Sequence, residues 1–201
     1  MVRRISGLGA TALAVALWPQ VALAHTGFGS TSGFAHGFLH PVSGLDHLLA
    51  MVMVGILAWQ LGGRALWALP VTFVGVMALG GALGMAGVSV PFVEVGIALS
   101  VVVLGLAVAF RVGVPLAGLL SLVAVFAVFH GHAHGAEMPE TVAGYAYGLG
   151  FLVATMLLHL AGISLGFLIG RVGEAHGAFA VRSAGAIGAA AGLVILGQAL
   201  F

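Results

Sequence analysis

Long apolar runs alternate with short polar interruptions along the chain, and this rhythm predicts its elements. The runs cover about residues 45–61, 66–86, 91–110, 114–129, 143–170 and 181–201. Each is close to the roughly 20 apolar residues that a helix needs to cross a bilayer. Helices and closed barrels are the structures that satisfy the backbone inside hydrocarbon. Unbroken apolar runs, as opposed to alternating ones, select helices. The expected fold class is therefore all-α, a polytopic membrane protein with six transmembrane helices. The fourth run leads into a histidine cluster that can extend its helix. The connections are short and leave no room for a second domain. The stretch from Thr26 to Phe38 is rich in Gly and Ser, too polar and flexible to span.

The amino terminus has a different pattern. Arg3 and Arg4 precede a short apolar stretch from Leu8 to Leu17, Pro19 breaks it, and Ala22-Leu23-Ala24 offers small residues for cleavage. That is the layout of a signal peptide, here 1–24, leaving 25–201 as one six-span domain. An uncleaved first helix is the alternative, and the short run ending in A-x-A argues against it. Cleavage after Ala24 makes His25 the new terminus, which carries an amine and an imidazole. With the mature amino terminus outside, six spans put Arg64, Arg111, Arg171 and Arg182 in or beside the three cytoplasmic connections. The outer connections, around residues 87–89 and 131–141, hold no Arg or Lys. This agrees with the positive-inside rule. With an even number of spans, it predicts both mature termini on the outer side of the membrane. Gly162, Gly166 and Gly170 lie four apart, as do Gly188 and Gly192, a spacing that lets helices pack closely. Among 33 glycines such pairs also arise by chance.

Composition sharpens the picture by exclusion. Charged residues make up 5% of the 201 residues, apolar residues 62%, and the formal charge is +1. A soluble domain carries about 25% charged residues. A nucleic-acid binder needs a basic patch, and all six basic residues here are Arg. With no Lys there is no Walker A lysine, so the chain does not itself hydrolyse ATP. With no Cys there are no thiolate metal sites or disulfides. Nine His remain.

Their placement carries the chemistry. His36, His40, Asp46 and His47 fall at the outer end of the first span. His130, His132, His134, Glu137 and Glu140 fall at the outer end of the fourth, and Glu94 lies about one turn inside the third from the same side. Ionisable groups in or near hydrocarbon are costly and mostly functional. If helical from Pro41, the first segment puts His40 and His47 on one face, with Asp46 beside it. In the second, His130 and His134 share a face, Glu137 lies close to it, and His132 points elsewhere. Imidazole with carboxylate is a ligand set for a borderline divalent metal, and a carboxylate can also act by orienting an imidazole. The competing readings are a hydrogen-bonded polar cap and a solvated His-rich loop. His159 stands near the middle of the fifth span, where a core histidine and a transport residue are equally consistent with sequence.

The pattern His40-x5-Asp46-His47, joined to Phe129-His130-Gly131-x-Ala133-His134-Gly135-x-Glu137, resembles the HupE/UreJ family. The resemblance covers the signal peptide, six spans and both motifs in order. It implies a nickel permease, or a related cobalt permease, carrying Ni2+ or Co2+ inward for hydrogenase or urease. It implies metal ligands at His40, Asp46, His47, His130, His134 and Glu137, and leaves His132 at a variable position. The ion is cargo, with no permanently bound cofactor; the partners are the metal ion and the lipid bilayer, and a homo-oligomer stays open. On this reading the chain is not an enzyme. Two alternatives remain: a metal-dependent intramembrane hydrolase using Ser43 or Ser100, neither of which sits in a nucleophile motif, and a metal-binding accessory protein that does not transport.

Overall fold

The computed structural model describes residues 33–138, 142–171 and 174–201. The signal-peptide segment, His25 and Glu140 lie outside the described residues. Seven helices are formed among them: α1 Phe34–Ser43, α2 Leu45–Leu61, α3 Ala65–Met85, α4 Val93–Phe110, α5 Leu116–Ala136, α6 Val142–Gly170 and α7 Glu174–Leu200. Five spans, 65–85, 93–110, 116–136, 143–170 and 177–200, are each long and apolar enough to cross a membrane. Helices α1 and α2 meet the same test together, as a pair bent by 82°. Counted as one broken span, the pair makes six passes. The chain is a multi-pass membrane protein, as its apolar runs predict.

The bend corrects one expectation. Gly44 is extended (φ −86°, ψ 118°) and its N–H closes α1 on the His40 carbonyl. Pro41 therefore lies in the last turn of α1 and does not open a helix. His40 and His47 stand on different helices rather than on one face. Part of the stretch expected to be flexible is helical from Phe34 onward. At the other motif, α5 continues past Phe129 through the histidines to Ala136.

Helix pairing runs chiefly between α3 and α5, α4 and α7, α2 and α6, and α1 and α6. Glycine makes the close approaches. A Cβ on Gly131 would land on the Met77 carbonyl, one on Gly135 on the Gly81 carbonyl, and one on Gly55 on the His159 carbonyl. All five spaced glycines of the sequence lie at such contacts: Gly162 on Val52 and Gly55, Gly166 and Gly170 on Trp59, Gly188 on Met53, and Gly192 on Val102. Between helices in lipid, this close packing takes the place of a hydrophobic driving force.

Side chains fix the two ends. The last carbonyls of a helix lack intrahelical partners. For α4, Gln60 Nε2 donates to Val108 O and Arg182 Nε to Ala109 O, each at 3.0 Å. These bonds gather α2, α4 and α7 at the end that carries the arginines. At the opposite end His132 Nε2 donates to Val88 O at 2.6 Å, pinning the α3–α4 connection to α5.

Candidate metal centre

Three fully or nearly fully buried imidazoles meet at the end opposite the arginines. His47, in the first turns of α2, is 2% exposed; His130 and His134, one turn apart on α5, are 0% and 4% exposed. His47 Nδ1 lies 3.0 Å from His130 Nδ1 and 3.4 Å from His134 Nε2. Residues 83 and 87 positions apart in sequence are thus brought to one point. The glycine-mediated crossing of α3 and α5 sets the depth of His130 and His134. The break at Gly44 starts α2 just before His47.

A hydroxyl on α4 joins the imidazole network. Ser100 Oγ donates to the Ile97 carbonyl at 2.6 Å, and lies 2.8 Å from His130 Nε2. A hydroxyl has one hydrogen, and a carbonyl can only accept. Ser100 therefore accepts from His130 Nε2–H, which leaves the lone pair of His130 on Nδ1. In the 3.0 Å contact His47 Nδ1–H is then the donor, and His134 Nε2 turns its own lone pair to the same hydrogen. Two nitrogen lone pairs converge on one proton.

That arrangement is close to a metal site without being one. Two nitrogens about 2.1 Å from one ion stand roughly 3.0–3.4 Å apart at angles between a right angle and the tetrahedral value. The observed separations fall in that range. Yet among the described residues no group of three or more His, Asp or Glu side chains is set to hold an ion as the rings stand. An ion taking the place of the shared hydrogen requires His47 to turn its ring or move its proton to Nε2. Either change turns a third lone pair toward the ion, and all three imidazoles must be neutral to bind it.

The remaining motif residues differ in placement. His40, on α1, packs edge-on against His134 with ring centroids 4.8 Å apart. Asp46 is buried in the first turn of α2, and its Oδ1 accepts from the His47 N–H at 2.6 Å. A carboxylate there favours the positive helix end and holds the backbone that carries His47. Glu137 caps the end of α5 and is exposed, so it is on the rim, outside the buried contact. His36 and Glu94 are also exposed. His132 faces away, as its spacing predicts.

Aromatic rings from other helices enclose the imidazoles. Phe151 of α6 lies 4.4 Å from His134 and 4.8 Å from His47, and Phe73 of α3 lies 5.6 Å from His130. A cavity of about 330 Å³ between α3, α5 and α6 reaches His134, and its wall includes the thioethers of Met77, Met85 and Met138. Sequence reasoning passed over Phe151, Phe73 and the positioning role of Ser100. A lone serine in an apolar helix gives no signal until the fold sets it against His130.

No solved structure matches the chain. Protein HupE of Rhizobium leguminosarum bv. viciae is 47% identical over 186 residues, which cover 92% of this chain and 95% of that protein. The HupE / UreJ protein family matches residues 13–195. With the family match running from the amino-terminal apolar stretch into the sixth span, and both histidine motifs inside it, the chain belongs to the HupE/UreJ family.

Proposed function

We propose that the chain is a permease that carries a divalent transition-metal cation, Ni2+ before Co2+, across a bacterial inner membrane into the cytoplasm. The observation that carries this reading is the meeting of His47, His130 and His134 at 3.0 and 3.4 Å inside an apolar helical bundle. Buried imidazoles from distant helices are a costly use of polar groups in a membrane, and lone pairs converging on one point suit a borderline cation. Nitrogen and oxygen donors do not by themselves choose nickel, since affinity rises along the series toward copper whatever the cell needs. Nickel comes from the family.

In this reading residues 1–24 are a cleaved signal peptide and the histidine end faces the periplasm. The arginine end faces the cytoplasm, as the positive-inside rule requires. The ion is captured at His47, His130 and His134. Asp46 holds the backbone of His47, Ser100 sets the tautomer of His130, and His40 and Glu137 attract and pass on the cation at the mouth. The ion is cargo, and the protein holds no resident cofactor.

A hydrolase needs a serine whose proton its histidine can take. With the Ser100 hydroxyl donating to the Ile97 carbonyl at 2.6 Å, the contact to His130 Nε2 is made by the ring N–H donating to the serine oxygen. The contact has the distance of a nucleophile–base pair and the opposite polarity. This favours transport over an intramembrane hydrolase.

The test is uptake of radiolabelled Ni2+ by cells stripped of their own importers. Cells with the chain should accumulate the ion in a saturable way, and cells with His47→Ala at equal membrane abundance should not. Accumulation no greater than in cells lacking the chain would overturn the permease reading.

A further inference from the structure

Capture is half of transport. A site that holds an ion with three imidazoles must hand it on, and conduction favours several weaker sites in sequence over one deep one. His159 stands where the next one belongs. It is 0% exposed, and among the described residues neither ring nitrogen has a hydrogen-bond partner. Thr155, one turn earlier on the same face of α6, is also 0% exposed, and its hydroxyl oxygen has no partner among the described residues. A buried polar atom without a partner is costly, and here three such atoms share one face in the middle of the longest span.

Their place in the bundle follows from the pairing of α2 with α6. Phe151 meets His47, and two turns further on His159 meets Gly55 through its backbone. The two helices therefore run in the same direction. Eight residues of helix separate Phe151 from His159, about 12 Å along the axis toward the arginine end. By that register Met51, buried one turn below His47, is level with Thr155. The Phe73 ring touches both levels, 5.6 Å from His130 and 5.3 Å from His159.

We infer that His159, with Thr155, is a second coordination station for the transported divalent cation, reached from the His47–His130–His134 cluster past Phe73. One imidazole and one hydroxyl, with the Met51 thioether at the same level of the bundle, make a weaker donor set than three imidazoles, suited to quick release. The inference rests on the permease reading above.

The purified full-length chain in phospholipid vesicles tests it, with Ni2+ alone as the probe and initial uptake measured across concentration. His159→Leu should lower the maximal rate at least tenfold while the half-saturating concentration moves less than about twofold. His47→Ala should raise that concentration instead. Leu also removes buried unpartnered nitrogens, so the variant should unfold at a temperature no lower than the parent. A second pair of variants separates ligation from packing. His159→Cys supplies a soft ligand and His159→Ser, of similar size, a poor one; the first should transport at least tenfold faster. Because the chain has no cysteine of its own, adding Co2+ to His159→Cys should produce a thiolate-to-cobalt absorption absent from the parent. A parental maximal rate in His159→Leu, or equal rates in His159→Cys and His159→Ser, would overturn the second station and leave the permease standing. Parent vesicles that take up no more Ni2+ than protein-free vesicles would overturn both.

Discussion

Replacing Ser100 by Ala removes one oxygen that touches no ion in the proposed site, so its effect isolates the hydrogen-bond network. With Ser100 present, the Nε2–H of His130 has an acceptor at 2.8 Å and the lone pair stays on Nδ1, toward His47. Without it, that N–H is buried on a residue that is 0% exposed. Leaving a buried donor unsatisfied costs about 1–3 kcal/mol. The ring avoids the cost by moving its proton to Nδ1, where it blocks the nitrogen that faces the cluster. A competent tautomer disfavoured by that amount is depleted about 5- to 150-fold. This range overlaps the roughly 10–100-fold losses that follow when groups orienting a ligand histidine are removed. The assay is initial Ni2+ uptake across concentration in vesicles, with protein abundance matched. The half-saturating concentration should rise by about 5- to 150-fold. Alanine leaves a cavity of one atom, so thermal stability should change little. A Ser100→Ala protein with the parental half-saturating concentration would refute the tautomer assignment.

Other consequences follow from the same geometry. Gly131→Ala would drive a Cβ against Gly81 N and the Met77 carbonyl carbon, both 2.8 Å away; separating α3 from α5 should cost about 1–3 kcal/mol in thermal unfolding and displace His130, and parental stability with parental uptake would contradict the close crossing. Imidazole binds a metal only when neutral, so uptake should fall as the outer pH drops below the ordinary range of histidine; uptake insensitive down to pH 5 would mean that carboxylates alone capture the ion. His132→Ala should change uptake little, because that ring bonds the Val88 carbonyl and not the cluster; a dead variant with normal abundance would move the ligand set by one helical face. A serine-directed phosphonylating reagent should leave Ser100 unlabelled, since its hydrogen is held by Ile97; labelling there would revive the hydrolase.

The spans were legible because a bilayer imposes length and hydropathy directly on sequence, and each apolar run became a helix or, with α1, a bent pair. The His130–His134 face was legible because its four-residue spacing stays within one helix. The relation of His40 to His47 was misread for the complementary reason: Pro41 and Gly44 permit either a continuous helix or a break, and tertiary packing of α1 on α6 decides for the break. Gly37 and Gly150 let that packing happen, since a Cβ on either would strike the opposite backbone. Asp46 could be read as a ligand or as an orienting group, and the structure gives it the His47 N–H. Ser100, Phe73 and Phe151 carry no motif at all. Their roles exist only where α3, α4 and α6 converge on the histidines, and nothing local in sequence records that convergence.

The most direct test is the initial rate of radiolabelled Ni2+ uptake into phospholipid vesicles holding only the purified chain, compared between the parent and a His47→Ala, His130→Ala double variant of equal abundance and thermal stability. No other protein can then move the ion. The predicted result is saturable uptake by the parent and a rate indistinguishable from protein-free vesicles for the variant. Equal rates in the two preparations would contradict the claim that the ion passes through the histidine cluster.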